Sequence, residues 1–162
     1  MFSVVLGLFI LVLLESEPGY VFLLDGANLL FHEAGHMFFG ILGDTMELYG
    51  GTLGQLVFPI VVICGFWRKG QAVSFAVGWI WFFENCFNIA RYMADARAQI
   101  IPLVGGGEHD WNNIFTRWDI LESDTAVAGI VQICGWIGIA LTWGWLAWRT
   151  FCAKSSPEEV IN

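Results

Sequence analysis

Apolar stretches of helix length, separated by short polar or glycine-bearing breaks, are what most constrains this chain. The first covers residues 1–14, carries no charge, and is broken by Glu15-Ser16-Glu17-Pro18-Gly19. A second begins near 21 or 27 and runs to 42, where Gly43-Asp44 ends it and Tyr49-Gly50-Gly51 reads as a turn. A third spans 53–67 up to Arg68-Lys69-Gly70, a fourth spans about 72–94, and a fifth spans about 125–148 up to Arg149. The connection over 95–124 is polar and holds Pro102 and Gly105-Gly106-Gly107. A bilayer core about 30 Å thick needs roughly 20 helical residues at a rise of about 1.5 Å each, and within it only helices or closed barrels satisfy their backbone. The expected fold is therefore all-α: one transmembrane domain over 1–162, a polytopic membrane helix bundle of four or five transmembrane helices. The first stretch is short for a span. It has neither the basic n-region nor the small-residue cleavage site of a signal peptide, and reads as a retained helix.

Composition agrees. The chain is 57% hydrophobic and 14% charged, where a soluble domain runs near one quarter charged. The net charge of −8 excludes a nucleic-acid partner and a polybasic grip on anionic lipid. Cys64, Cys86, Cys134 and Cys152 form no C-x-x-C pair and read as buried apolar side chains. Trp67, Trp79, Trp81, Trp143, Trp145 and Trp148 lie near predicted helix ends, as an aromatic belt does, and Trp111 and Trp118 read as interfacial anchors. Gly135, Gly138 and Gly144 suggest close packing of the last helix. With five spans, Arg68, Lys69, Arg149 and Lys154 fall on one side, which places the C-terminus in the cytoplasm.

Within the second stretch stands His32-Glu33-Ala34-Gly35-His36. Residues four apart share a helix face, so both imidazoles can grip one metal ion while Glu33 serves beside it as general base. Histidine and glutamate are costly in a membrane helix and are retained there for function. A catalytic zinc takes three protein ligands and keeps a place for water. Two residues compete for the third ligand. One is His109, carried by a glycine-rich loop able to fold back on the bundle; its alternative is an exposed loop histidine beside acids. The other is Asp95, which shares a helical face with Glu84, Asn88 and Arg91. That face reads either as a network in which Arg91 pairs with Glu84 or Asp95, or as a ligand-bearing face with Asn88 orienting substrate. Gln55, near Gly50-Gly51 and Gly54, is placed to hydrogen-bond across to the motif helix. Asp44 and Glu47 read as a solvated rim.

On these residues the chain resembles the site-2-protease-like intramembrane zinc metalloproteases. The likeness rests on His32-Glu33-Ala34-Gly35-His36 in a membrane helix and on Asn88 and Asp95 seven apart in a later one. In that family an N-x-x-P-x-P-x-L-D-G motif supplies an Asp as third ligand. Here the spacing is one residue shorter and the prolines and Leu-Asp-Gly ending are missing. Leu24-Asp25-Gly26 lies upstream of the histidines, in the wrong order, so no role passes to Asp25. The resemblance implies Zn2+, hydrolysis of peptide bonds in membrane substrates, and Glu33 as the catalytic base. Two alternatives stand beside this reading. One is a non-catalytic membrane subunit, a helix-packing partner with a structural metal held by His32, His36, Asp95 and His109 together. The other is a lipid-directed zinc hydrolase.

Overall fold

The computed structural model describes residues 22–104 and 107–154, and the expected helix over 1–14 lies outside them. No strand occurs among the described residues. Four long helices, α1 (Phe22–Gly40), α2 (Asp44–Arg68), α3 (Ala72–Ala94) and α5 (Asp124–Lys154), are joined by tight turns and by a connection that holds the short helix α4 (Asp110–Arg117). Gly43 (φ 107°) and Gly70 (φ 66°) occupy left-handed backbone in the first two turns, a region that costs glycine nothing. Successive helices pack in a row: α1 on α2, α2 on α3, α3 on α5, with α4 against the ends of α2 and α3.

The expected turn at Tyr49-Gly50-Gly51 does not form; α2 runs straight through it. The glycines serve a helix crossing instead. A Cβ on Gly35 would overlap the Gly50 carbonyl, one on Gly54 the Phe31 carbonyl, and one on Gly50 would lie 2.7 Å from the Gly35 oxygen. Backbone meets backbone here, as small residues allow between apolar helices. Because the obstacle is backbone and cannot swing aside, Gly35→Val is expected to force α1 from α2 at a cost of about 1–3 kcal/mol, read as a lowered unfolding midpoint in detergent.

The long helices turn apolar side chains outward. Met37 is 80% exposed, Phe38 67%, Leu141 69% and Phe151 71%. A face this apolar marks contact with protein or lipid. α2 and the helical stretch 121–152 are long and apolar enough to cross a membrane, and in their most apolar windows only 33% and 28% of residues are buried. Cys64, Cys134 and Cys152 lie on such outward surfaces, and Cys86 alone of the four is buried. Gly135 and Gly138 do sit tight against Phe83 or Phe87, whereas Gly144 faces open space.

The connection after α3 is structured. Asp95 ends the helix by accepting the Ile100 and Ile101 amides at 2.9 and 3.0 Å, which turns the chain back. Arg97 reaches the buried Asp124 carboxylate at 2.7 Å and clamps the start of α5. Trp111, expected as an interfacial anchor, is buried in a core with Ile89, Met93, Ile114 and Phe115. Trp118 is half exposed and donates to the Tyr49 hydroxyl. These contacts seat α4 with its N-terminus beside the end of α1 and the start of α2.

Candidate metal centre

α1 brings His32 and His36 together, as their spacing requires, and the first residue of α4 meets them. Asp110 Oδ2 lies 2.9 Å from His32 Nε2 and 3.1 Å from His36 Nε2, and the two Nε2 atoms are 3.1 Å apart. These three are the group among the described residues whose ligand atoms converge on one point. The place beside them is held open by Gly51 of α2: a Cβ there would lie 2.5 Å from His32 Nε2 and 2.6 Å from His36 Nε2.

Neither residue expected as third ligand reaches the pair. His109 is no exposed loop histidine. It is 3% exposed, stacks on Tyr92 with ring centroids 4.1 Å apart, and lies 3.5 Å from Asp95 Oδ2 through its Nε2. Its Nδ1 accepts the Asn112 amide as the N-cap of α4. Capping turns a side chain back onto its own helix, so the following residue, Asp110, is the one presented to the histidines. Asp95 is occupied by the Ile100 and Ile101 amides. The two candidates thus face each other, and Asp110 stands where either was expected. Burial lowers the pKa of His109 and keeps it neutral. Burial would raise that of Asp110, but hydrogen bonds from His32 and His36 outweigh it and the carboxyl is held ionised below its ordinary range.

The far nitrogens of both rings have acceptors. His36 Nδ1 lies 2.7 Å from the Glu47 carbonyl oxygen, and His32 Nδ1 lies 3.0 Å from Gln55 Oε1. A proton on Nδ1 of each ring thus meets an acceptor, and a cation at the shared point, in place of the proton that Asp110 otherwise draws to Nε2, would face the two Nε2 lone pairs. Two lone pairs and an anionic oxygen within about 3 Å repel one another unless a proton or a cation lies among them. Gln55 does cross from α2 to the motif helix, as expected. Glu47 is rim and support at once, an exposed residue whose backbone holds His36.

A cavity of about 790 Å³ opens on the pair, lined among others by Glu33, Leu29, Arg91, Tyr92, Leu103 and Arg117. Glu33 is half-buried on its wall. The polar face of α3 is satisfied differently from either pairing expected. Arg91 binds Asp25 at 2.9 Å, Asn88 donates to the same carboxylate, and Glu84 accepts from Asn28 at 2.8 Å. Trp81, expected in an aromatic belt, donates to Asn28 at 3.0 Å.

Asp110, Gly51 and Asp25 are the site residues that sequence reasoning missed. An acid just after a capping residue, and a glycine one turn before Gln55, were the available signals. Comparison of the chain with protein-family models, with curated proteins and with solved structures found no match, so the functional reading rests on the geometry of this centre.

Proposed function

We propose that the protein is a membrane-embedded zinc hydrolase that cleaves peptide bonds of membrane substrates, with His32, His36 and Asp110 as ligands and Glu33 as general base. The observation that carries this is the triangle of two Nε2 atoms and one carboxylate oxygen with edges of 2.9, 3.1 and 3.1 Å. Zinc–nitrogen distances of about 2.0–2.1 Å in a tetrahedron place neighbouring ligand atoms roughly 3.3 Å apart, so the triangle needs to relax by only a few tenths of an ångström. Two imidazoles and a carboxylate are a donor set of catalytic zinc sites. Three protein ligands beside a cavity favour a working centre over the closed four-ligand site of a structural metal.

Zinc bound there supplies Lewis-acid activation of a water and of the scissile carbonyl. The chain does the rest. Gly51 leaves the space, Gln55 and the Glu47 carbonyl hold the rings, and the Glu33 carboxylate takes a proton and returns it to the leaving amine. The first half of the resemblance to the site-2-protease-like enzymes is kept in this reading. The second half is not, since Asn88 and Asp95 lie elsewhere.

In this reading α1, α2, α3 and α5 are four membrane spans. Arg68, Lys69 and Arg149 then share one face, with the C-terminus on the cytoplasmic side. Asp44, Glu47, Glu108 and Asp110 share the other, and the cavity opens there, one to two helical turns below the ends of the spans. Lipid surrounds the outward apolar faces.

Metal analysis tests the centre. The purified chain in detergent is expected to hold one zinc. A structural zinc is worth about 10–16 kcal/mol over four ligands, or roughly 3 kcal/mol and a hundredfold in affinity for each. His36→Ala and Asp110→Ala are each expected to weaken zinc by about that factor, and Asp95→Ala, which removes no ligand, to change it only a few-fold. Failure of the native chain to take up any divalent ion would end the reading.

A further inference from the structure

A line of buried hydrogen bonds reaches His32 from across three helices. Asp25 is buried, two turns before His32 on α1, and its Oδ1 accepts from Arg91 Nη2 at 2.9 Å and from Asn88 Nδ2. A carboxylate paired with a guanidinium only accepts. Asn88 must therefore turn its NH2 toward Asp25, which leaves its Oδ1 facing α2. There it accepts from Gln55 Nε2 at 2.8 Å. Gln55, with its NH2 given to Asn88 and, at a longer 3.4 Å, to Asn85 Oδ1, has its Oε1 facing His32 Nδ1 at 3.0 Å. An oxygen there draws a proton to Nδ1, so that a cation arriving beside Asp110, 2.9 Å from Nε2, displaces only the proton on Nε2 and meets its lone pair. Each link runs in one direction only, because its predecessor ends in an acceptor. With both amides reversed, His32 would carry its proton on Nε2 and present it to the ligand position, where it opposes a cation.

We propose that Asp25 is a positioning residue of the metal centre, acting through Asn88 and Gln55 to keep the Nε2 lone pair of His32 turned to the ligand position. The inference rests on the zinc reading for its purpose, but the relay itself is a matter of hydrogen-bond direction. His36 reaches the same tautomer by separate means, through the Glu47 backbone carbonyl, and so serves as an internal control.

The test uses the full chain in detergent micelles with 15N-labelled histidine, metal-free. In the native chain each histidine is expected to show a hydrogen-bonded, slowly exchanging proton on Nδ1, whatever Asp110 holds at Nε2. Asp25→Ala strips Arg91 of a carboxylate and puts folding at risk. Asn88→Leu leaves the Asp25–Arg91 pair intact and cuts the relay at its middle. In Asn88→Leu the His32 Nδ1 proton is expected to exchange faster and its nitrogen signal to shift, while those of His36 stay fixed. Zinc and cobalt affinity, read by competition with a chromophoric chelator, is expected to fall about 10–100-fold, the range found when a partner of a metal-binding histidine is lost. Glu84→Gln, at another buried carboxylate of α3 outside the relay, is expected to change neither readout. If Asn88→Leu keeps the native His32 Nδ1 signal and native zinc affinity, or moves both histidines alike, the relay is overturned. If the native chain takes up no zinc and Asn88→Leu still disturbs the His32 Nδ1 proton alone, the relay stands and the zinc reading falls.

Discussion

Replacing Gly51 by alanine is expected to abolish metal binding while leaving the helices folded. The new methyl would sit 2.5 Å from His32 Nε2 and 2.6 Å from His36 Nε2, in the space that a shared ion needs. Both imidazoles would have to rotate away, which removes two ligands at once, or roughly four orders of magnitude in zinc affinity at about 3 kcal/mol for each ligand. Stability of the metal-free protein should change little, because the atoms met are the far ends of two side chains. Gly35 and Gly54 differ in that respect, since a Cβ at either meets backbone. Calorimetric zinc titration alongside thermal unfolding separates the two effects. Native zinc affinity in Gly51→Ala would place the ion elsewhere or nowhere.

Glu33→Gln carries the second large effect and strikes the chemistry rather than the metal. Glu33 lines the cavity one residue beyond His32 and is not among the three converging ligands. Glutamine keeps the shape and the hydrogen-bonding capacity but cannot accept a proton under these conditions. General-base catalysis contributes about 10²–10⁴ in rate, so turnover should fall by that factor with zinc content unchanged. The assay is cleavage of a fluorogenic transmembrane peptide in phospholipid vesicles, with the zinc-loaded native chain as reference. Equal rates for the two proteins would remove Glu33 from the mechanism. Cleavage of lipid esters in place of peptides would keep the mechanism and change the substrate class.

Sequence reading went furthest where a rule is local. The 3.6-residue repeat is enough to put His32 and His36 on one face, and their Nε2 atoms are 3.1 Å apart. The extents of α3 and of most of α5 follow from apolar runs bounded by Lys69-Gly70 and by the acids near 122–124. It failed at Gly50-Gly51 because glycine has two uses, breaking a helix or letting one helix approach another. A pattern within one segment cannot distinguish them; the partner helix does, and α1 presses its Gly35 there.

Which residue of the connection after α3 meets the two histidines was beyond the sequence for a similar reason. Asp95, His109 and Asp110 all lie in one connection, and the residue that reaches the histidines depends on how that connection folds. Two local bonds settle it. Asp95 is drawn into a turn by the Ile100 and Ile101 amides, and His109 is drawn into a cap by the Asn112 amide. Asp25 was set aside for its place in the chain, ahead of the histidines. In three dimensions it joins Arg91 and Asn88, 66 and 63 residues away in sequence.

The amino-acid order alone determined an all-helical, lipid-compatible chain with two imidazoles and a carboxylate in one helical turn, because periodicity, hydropathy and side-chain chemistry act over a few residues. Only the tertiary structure decided that Asp110 completes the triangle, that Gly51 leaves it room, and that Asp25, Asn88 and Gln55 line up behind His32. Those contacts join residues 15 to 78 positions apart, and their geometry is fixed by how closely three helices and a folded-back connection can pack.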